Sequence, residues 1–385
     1  MGTHLTRGSV AIVGVAESDL GEVAPGLSPV DLMAQGAMRA LDDCGLALRD
    51  IDAVFAASAQ SRAASLALSE YLNLRPRYQD ASYSGGAVFE TMIMHAQAAI
   101  EAGACDTALI AYGSTQRSSA GKLVTSRPVD PLISPYGLRM PASAYAMAAA
   151  RYMHRFGTSR RQLAEVAVAA RNWALLNPKA WEKQSLSIEQ ALAARMVSSP
   201  LSVRDCCLVT DGGGAVILTR ADRARALRKP PVYVLGVGDA TTHLEIHSMP
   251  DLTTTCAVES GRAAYAMAGL GPRDIDVVEV YDAFTINTIL FLEDLGFCPK
   301  GEGGRFVEDG RIGPGGALPV NTSGGGLSYC HPGMFGIFLL IEAVRQIRGE
   351  CADRQVKGAE TAIAHGNGGT LSSQATVILG SQATL

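Results

Sequence analysis

Two stretches of this sequence share one ten-residue pattern: Gly45–Val54 reads GLALRDIDAV, and Gly269–Val278 reads GLGPRDIDVV. Each stretch follows an Ala-rich segment with helical spacing, and each leads into a short apolar run that is typical of a strand. A second pair, Asp106–Ala111 (DTALIA) and Glu360–Ala364 (ETAIA), occurs in the same order. This alternation indicates an α/β protein with βα units on a parallel sheet, and the recurrence predicts two related halves.

The two halves are predicted at residues 1–225 and 226–385, with a region of different character between them, at about 115–205. That region holds a Pro-rich stretch (SRPVDPLISPYGLRMP) and then helical patterns. Ser159, with Gln162 three residues later, has the arrangement of a capping box and predicts the start of a helix. We expect the region to be a helical insertion that covers one end of the first half.

The composition is that of a globular protein with a sizeable core, since 48% of the 385 residues are hydrophobic. The formal net charge of -4 gives no reason to expect nucleic acid or an anionic membrane as a partner. No apolar run approaches the roughly 20 residues of a membrane span. The eight cysteines form no CxxC pair, which argues against a metal site and favours free thiols in a reducing cytoplasm.

Residues 80–90, DASYSGGAVFE, are typical of a chain that leaves a strand, turns on glycines and enters a helix. Free N–H groups and the positive dipole end at a helix start stabilise an anion, so such a turn is a suitable position for a nucleophile. Here the turn offers the hydroxyls of Ser82 and Ser84 and no thiol. A hydroxyl stays protonated near neutral pH unless a base activates it.

Three more glycine clusters follow apolar runs, at residues 210–214, 321–326 and 365–369. Glycines let the backbone approach a ligand closely and present its N–H groups, although the same residues also serve tight packing of strands and helices. None of the turns has the pattern of a P-loop or of a dinucleotide-binding loop. Four such turns in two related halves predict a ligand site where they meet.

Four polar side chains beside these turns can carry chemistry. Tyr281 ends the strand of the second repeat, and His331 stands between a glycine-rich turn and an apolar helix. His365 precedes the last glycine cluster, and Cys330 is a candidate nucleophile. A histidine in such a position acts as an acid, a base or an oxyanion donor, or else as a cap or a core residue. A lone cysteine is more often a buried hydrophobic residue.

Together these motifs resemble the thiolase superfamily, and within it the sterol-carrier-protein type. The segment VNTSGGGLSYCHPGMFG (residues 320–336) is similar to the family's Asn-x-x-Gly-Gly-x-x-x-x-Gly-His-Pro block. The segment EVYDAFTINTILFLEDLGFCPKGEGG (residues 279–304) is similar to the strand and helix that carry its His-Asp-Cys-Phe or Asn-Glu-Ala-Phe motif. The resemblance covers nearly the whole chain and implies a thiolase-like fold. In that fold two βαβαβ halves form five layers, αβαβα, with an insertion in the first half.

The sequence departs from the family at its catalytic thiols. Ser82 falls where a thiolase has its acyl-accepting cysteine, and Ala283 and Gly366 (or His365, one register away) fall where the second cysteine lies. Tyr281 replaces the Asn or His that holds the oxyanion water. Among these motif positions only the histidine of Gly-His-Pro, here His331, is kept.

These departures resemble a divergent branch that cleaves β-hydroxyacyl-CoA thioesters by retro-aldol chemistry, notably on steroid side chains. The resemblance implies that Tyr281 and Tyr329 form an acid/base pair and that His331 donates to the enolate oxygen. Supporting or oxyanion roles are implied for a further set of residues: Ser82, Ser84, Cys330, His365, Gly366 and Asn367.

Two alternatives stay open. One is a thiolase-type acyltransferase that uses Ser82 or Cys330 as the acyl acceptor and His331 as the base. The other is a non-catalytic thiolase-like subunit of a complex. The resemblance further implies a homodimer and a zinc-ribbon/OB-fold partner protein, with coenzyme A present as part of the substrate. No bound metal or other cofactor is expected.

Overall fold

The computed structural model describes residues 5–119, 131 and 133–385. The strands of the described residues, in chain order, are β1 Val10–Glu17, β2 Ala53–Ala57, β3 Tyr78–Asp80, β4 Thr107–Ser114, β5 Met196–Ser198, β6 Leu201–Ser202, β7 Gly212–Arg220, β8 Val232–Thr241, β9 Val277–Val280, β10 Thr361–Gly368 and β11 Ser373–Gly380. The helices are α1 Pro29–Cys44, α2 Ala64–Tyr71, α3 Val88–Glu101, α4 Ala142–Phe156, α5 Arg160–Leu175, α6 Ile188–Leu192, α7 Ala221–Ala224, α8 Ala257–Ala268, α9 Thr285–Asp294, α10 Gly303–Phe306 and α11 Gly336–Arg348.

Nine of these strands form one mixed sheet, in the order β3-β2-β4-β7-β1-β8-β11-β10-β9. In the first half β2 pairs in parallel with β3 and β4, and β7 runs antiparallel between β4 and β1. The second half repeats this arrangement, because β9 pairs in parallel with β10, and β11 runs antiparallel between β10 and β8. The halves join where β1 meets β8, at Ala11 opposite Tyr233. The prediction of two related halves is confirmed.

The repeated pattern forms the same turn in both halves. Gly45 (φ 78°) and Gly269 (φ 64°) end α1 and α8 in the left-handed conformation that glycine adopts without a steric penalty. The first aspartate of each repeat then closes a short 3₁₀ turn by accepting a backbone N–H. Asp50 accepts from the N–H of Ala47 at 2.9 Å, and Asp274 accepts from Gly271 at 2.8 Å.

The second aspartate of each repeat fixes the start of a neighbouring strand. A carboxylate oxygen of Asp52 accepts the N–H of Thr107 at 2.8 Å, where β4 begins beside β2. Asp276 accepts the N–H of Thr361 at 3.0 Å, where β10 begins beside β9. The two pairs of repeated motifs are therefore joined by hydrogen bonds, which explains why they recur together.

The layers are those that the resemblance implies. Helices α3 and α11 contact each other and contact strands of both halves, so they lie between the two parts of the sheet. On the outside, α1 packs against β1, β4 and β7, while α8 packs against β8 and β11. Small side chains allow these close contacts, since a Cβ atom placed on Gly236 or Gly238 would overlap the backbone of α8. The five-layered αβαβα arrangement is confirmed.

The insertion contains α4, α5, α6 and the β5–β6 hairpin. Ser159 caps α5 as predicted, because its side chain accepts the N–H of Gln162 while the Gln162 side chain accepts the N–H of Ser159. Residues 120–130 and 132, which include part of the Pro-rich stretch, lie outside the described residues. The boundary at residues 225 and 226 stays a prediction. Within the described part of the chain, no helix has the length and apolar character that crossing a membrane requires.

Candidate active site

All four glycine turns meet at Tyr281 and His331. A Cβ atom on Gly86, in the first turn, would overlap the Tyr281 ring. Thr210, in the second turn, accepts the backbone N–H of His331 at 3.0 Å. A Cβ atom on Gly326, in the third turn, would lie 3.2 Å from the His331 ring, and the carbonyl of His365 accepts the Tyr281 N–H at 3.0 Å. The glycines are therefore needed here for close approach.

The hydroxyl oxygen of Tyr281 lies 3.0 Å from Nε2 of His331. Tyr281 follows the last residue of β9, and its ring stands edge-on to the rings of both His331 and Phe335. Burial, and secondarily the nearby Cys207, raise the pKa of Tyr281 well above its ordinary value. The phenol is therefore a neutral O–H at neutral pH and is not a phenolate.

His331 is also neutral. Burial lowers the pKa of His331 to about 4, and a hydrogen bond to its own backbone opposes this shift only in part. A neutral imidazole has one N–H and one lone pair. In the tautomer that carries its proton on Nδ1, Nε2 presents its lone pair to the hydroxyl of Tyr281 at 3.0 Å. The pair is thus a neutral donor and a neutral acceptor in a buried place.

The structure does not bring Tyr329 to this pair. Its hydroxyl donates to Oε1 of Glu17 at 3.0 Å. Glu17 is itself held by Arg345, with Nη2 at 2.7 Å from Oε2, and by Lys179, with Nζ at 2.9 Å. Burial and the adjacent Glu17 raise the pKa of Tyr329 well above its ordinary value. The hydroxyl of Tyr329 is hydrogen-bonded to Glu17, whereas that of Tyr281 faces His331, and the expected Tyr281–Tyr329 acid/base pair stays a prediction.

The candidate acyl acceptors also lie apart from the Tyr281–His331 pair. Ser82 donates its hydroxyl to Oδ1 of Asp80 at 2.6 Å, and Oδ2 of Asp80 is 2.6 Å from His95. Ser84 is partly buried, and its hydroxyl has no hydrogen-bond partner among the described residues. Cys330 is fully buried, and burial and Glu17 raise the pKa of its thiol well above the ordinary value. The base beside Ser82 is the Asp80 carboxylate, and although burial opposes the shift, its hydrogen bonds to Ser82 and His95 lower the pKa of Asp80 and make it a weak base. Among the described residues, no base is hydrogen-bonded to the Cys330 thiol.

The last turn holds its polar side chains in a separate network. His365 places Nδ1 2.9 Å from Thr376 and Nε2 3.0 Å from Gln374, so both ring nitrogens are occupied. Burial lowers the pKa of His365 to about 3. Asn367 donates to the hydroxyl of Tyr145 at 2.9 Å. His365 therefore contributes its backbone carbonyl to the site and keeps its ring in the core.

Comparison with known proteins identifies the family. Residues 238–381 match the family model described as "Thiolase C-terminal domain-like". An acetyl-CoA acetyltransferase of Methanothermobacter thermautotrophicus is 38% identical over 380 residues, which cover 94% of this chain and 96% of that protein. The chain belongs to the thiolase superfamily.

Two further similarities identify the branch. A 17-hydroxy-3-oxo-4-pregnene-20-carboxyl-CoA lyase of Mycobacterium tuberculosis is 34% identical to this superfamily member over 369 residues, covering 90% of this chain and 93% of that protein. The solved structure of the "Ltp2-ChsH2(DUF35) aldolase" superposes with a TM-score of 0.90 at 28% identity, covering 99% of this chain and all of that chain. The predicted resemblance to the sterol-carrier-protein-like branch is confirmed.

Sequence reasoning missed three residues at the site of this superfamily member. Asp282 accepts the N–H of Gly326 at 2.6 Å and so holds the third glycine turn; burial raises its pKa to about 7. Cys207 donates its N–H to the carbonyl of Ala283 at 2.9 Å, which places it beside Tyr281. Glu90, one helical turn beyond Gly86, is 1% exposed. Asp282 directly follows Tyr281 in the quoted motif, and Glu90 ends the quoted stretch 80–90, whereas nothing in the sequence singled out Cys207.

A cavity of about 240 Å³ opens next to the third glycine turn. It is lined by residues of the insertion and of the segment that closes the first half, among them Arg171, Arg204, Cys207 and Leu327. The N–H of Leu327 donates to Asp282 at 3.3 Å, so the cavity wall is continuous with the strand end that carries Tyr281. Among the side chains of the described ranges, no three His, Cys, Asp or Glu residues are grouped to hold a metal ion.

Proposed function

We propose that this superfamily member is an aldolase-type carbon–carbon lyase that cleaves a β-hydroxyacyl-CoA thioester without a cysteine acyl-enzyme. The observation that carries the proposal is the neutral Tyr281–His331 pair at the meeting point of four glycine turns. Names of relatives support it, since one is a CoA-thioester lyase and another, from Thermomonospora curvata, is a steroid side-chain-cleaving aldolase at 32% identity over 366 residues.

The pair supplies a proton relay for the substrate's β-hydroxyl. As the substrate O–H bond breaks, its proton passes to the Tyr281 oxygen while the Tyr281 proton passes to Nε2 of His331. The Cα–Cβ bond then breaks, giving a ketone or aldehyde and a thioester enolate. The negative charge that develops on the enolate stabilises the new imidazolium and so offsets the burial that lowers the pKa of His331. This relay makes His331 a proton acceptor, instead of the oxyanion donor expected from the sequence.

Backbone N–H groups are suited to stabilise the enolate oxygen. Helix α3 starts at Val88, immediately after Gly86 and beside the Tyr281 ring. In this proposal the positive dipole end of α3 stabilises the negative charge that develops on the enolate. One well-placed oxyanion donor is worth roughly 3 kcal/mol of barrier. Coenzyme A enters with the substrate, and the proposed reaction requires no resident cofactor.

Acyl transfer is the second candidate, because a relative at 38% identity is named an acetyltransferase. It needs an activated nucleophile. The hydroxyl of Ser82 is committed to Asp80, and the thiol of Cys330 is buried with a raised pKa. A nucleophile requires an effective adjacent base or a lowered pKa. The carboxylate beside Ser82 has a lowered pKa and is a weak base, and the thiol of Cys330 has a raised pKa. The retro-aldol reaction needs no such nucleophile and therefore agrees better with the site.

A partner subunit is part of the proposal. The solved relative is described as an Ltp2–ChsH2(DUF35) aldolase, and a relative from Thauera aromatica, 39% identical over 230 residues, is named a subunit. We infer that this chain works as a homodimer with a zinc-ribbon/OB-fold protein, as the resemblance implies. Co-expression with such a protein and measurement of the mass of the purified complex test this assembly.

The decisive experiment follows both products and protein adducts. The enzyme, with its co-purifying partner, is incubated with a panel of β-hydroxyacyl-CoA thioesters that includes steroid side-chain substrates. We expect release of a ketone or aldehyde, no acyl adduct by intact-protein mass spectrometry, and a loss of turnover of about 10²- to 10⁴-fold in Tyr281→Phe. The control Ser82→Ala retains turnover, since that hydroxyl bonds only Asp80. An acyl adduct on Ser82 or Cys330 would overturn the proposal in favour of acyl transfer.

A further inference from the structure

Helix α3 carries a buried acid that the relay does not use. Glu90 is the third residue of the helix and is 1% exposed. Neither carboxyl oxygen has a hydrogen-bond partner among the described residues. Unpartnered buried polar atoms are rare, because each costs about 1–3 kcal/mol in stability. An acid kept in such a place calls for a functional explanation.

The Glu90 carboxyl fills a space that two glycines leave open. A Cβ atom on Gly366 of β10, or on Gly336 at the start of α11, would overlap Oε2 of Glu90. The same atom on Gly336 would also overlap the carbonyl oxygen of Gly86. The carboxyl and the Gly86 carbonyl are therefore neighbours on one side of Gly336. Gly86 in turn packs against Tyr281, so the acid and the Tyr281 ring lie close to the same residue of the first glycine turn.

The environment keeps the acid protonated. Burial raises the pKa of Glu90 well above its ordinary value, and the nearby Asp239 of β8 raises it further. A contact with its own backbone N–H lowers the pKa only in part. No cation among the described residues pairs with the carboxyl. At neutral pH Glu90 is thus a neutral O–H donor, and no side chain of the described residues accepts its proton.

We propose that Glu90 is the general acid that protonates the enolate carbon after the Cα–Cβ bond breaks. The inference rests on the proposed lyase function. In this step the O–H bond of Glu90 breaks, a new C–H bond forms at Cα, and the carboxylate keeps the electron pair. The proton that the relay placed on His331 then restores the neutral acid through solvent. Gly366, the position expected to replace the second thiol of a thiolase, is the residue whose missing side chain makes room for this carboxyl.

The test separates protonation at Cα from cleavage. Acetyl-CoA and propanoyl-CoA are incubated with the enzyme in D₂O, and deuterium at Cα is followed by mass spectrometry. By microscopic reversibility the wild type exchanges the Cα hydrogens. Glu90→Gln should lose about 10²- to 10⁴-fold in exchange rate. Tyr281→Phe, which lacks the group that serves the β-hydroxyl, should keep the exchange and lose cleavage.

Two variants guard against a purely structural effect. Glu101→Gln makes the same chemical change near the other end of α3, where the carboxylate accepts the N–H of Thr6 at 2.9 Å, and should leave exchange unchanged. Glu90→Met replaces an unpartnered acid with an apolar group, so it should fold at least as stably as the wild type while losing exchange. A Glu90 variant that unfolds more easily but exchanges normally would identify a structural role.

The outcomes distinguish this inference from the lyase proposal. Cleavage by the wild type together with wild-type exchange in Glu90→Gln would overturn the role of Glu90 and leave the lyase standing. Exchange by the wild type without cleavage of any β-hydroxyacyl-CoA would overturn the lyase proposal but would not contradict the role of Glu90 in proton transfer at Cα. Absence of both activities from the wild-type complex would overturn both.

Discussion

The hydroxyl of Tyr281 and Nε2 of His331 are 3.0 Å apart, although the residues are separated by 50 positions in the chain. Tyr281 lies in the turn that follows β9, and His331 lies in the turn that precedes α11. Phe335 fixes both rings, lying edge-on to Tyr281 and stacked on His331 at an interplanar angle of 24°. The geometry of the relay is thus set by packing and does not depend on a mobile loop.

Replacing Gly86 with alanine should reduce activity without removing any functional group. The new methyl would overlap Cε2 of Tyr281, and the ring must move away. A displacement of about 1 Å in a catalytic group costs about 10²-fold in rate. We expect such a loss in kcat for β-hydroxyacyl-CoA cleavage. The matched control is Gly271→Ala, where the nearest atom to the new methyl is 3.7 Å away. Full activity in Gly86→Ala would show that the ring position is unimportant.

The pH profile of kcat/KM should lack an acid limb near the ordinary histidine value of 6.5. Burial lowers the pKa of His331 to about 4, so the lone pair that accepts the relay proton is available down to that pH. Activity should therefore hold between pH 6.5 and 5 and fall as the pH drops through about 4. A stability effect has the same sign, since the unfolded chain binds the proton more readily and unfolding is favoured as pH falls below 6.5.

Separating the two effects requires a folding measurement beside the kinetics. The fluorescence and circular dichroism of the enzyme at each pH show whether it is still folded where activity is lost. Burial raises the pKa of Asp282 to about 7, so the profile is also measured in Asp282→Asn. An acid limb at pH 6.5 that persists in this variant while it is folded would mean that His331 titrates normally and that Tyr281 does not share its proton as proposed.

Tyr329→Phe should affect stability and spare turnover. The lost hydroxyl donates to the buried carboxylate of Glu17, and a hydrogen bond to a charged group contributes about 1.5–3 kcal/mol. We expect the free energy of unfolding in urea to fall by this amount. The control Tyr71→Phe removes a hydroxyl that donates to exposed Asp31 at 2.7 Å, and should change stability much less. A stable but inactive Tyr329→Phe variant would show that Tyr329 is a catalytic residue, as the sequence predicts.

The sequence predicts the fold well because the residues of the repeated motif determine the local backbone conformation in each half. Gly45 and Gly269 must adopt positive φ, and the aspartates that follow them bond the starts of specific strands. These requirements are local, so the same residue types recur at the same spacing in both halves of the sequence. The glycine turns were informative for the same reason, since close approach to Tyr281 excludes a side chain at Gly86.

The sequence alone does not predict which partner each side chain contacts. Tyr329 lies only two residues before His331, yet the π-helical turn at Gly325–Tyr329 directs its hydroxyl to Glu17, a residue of the first strand. Such an orientation is decided by contacts over more than 300 positions. Glu90 was missed because an acid in the first turn of a helix usually indicates a favourable interaction with the dipole. Only its burial among apolar neighbours in α3 shows that it is different.

The repeated aspartates give a quantitative test of the two-half architecture. Asp52→Ala and Asp276→Ala each remove a carboxylate that accepts strand N–H groups, at Thr107 and Thr361. Burial would raise the pKa of Asp52, but the N–H of Thr107 and the Arg77 guanidinium outweigh it and lower the pKa, so the charge is present at neutral pH. Asp52→Ala should cost about 1.5–3 kcal/mol of unfolding free energy. Asp276→Ala should cost less, because solvent screens the exposed carboxylate of Asp276.

The two costs should add in the double variant. Asp52 precedes β2 near one edge of the nine-stranded sheet, and Asp276 precedes β9 at the other edge, so they share no partner. Distant sites usually add within about 0.5 kcal/mol. Asp222→Ala, which removes a surface pair with Arg220, is the control and should change stability little. A double variant much less destabilised than the sum would mean that one aspartate matters only while the other is present, and the halves would then not be independent copies of one design.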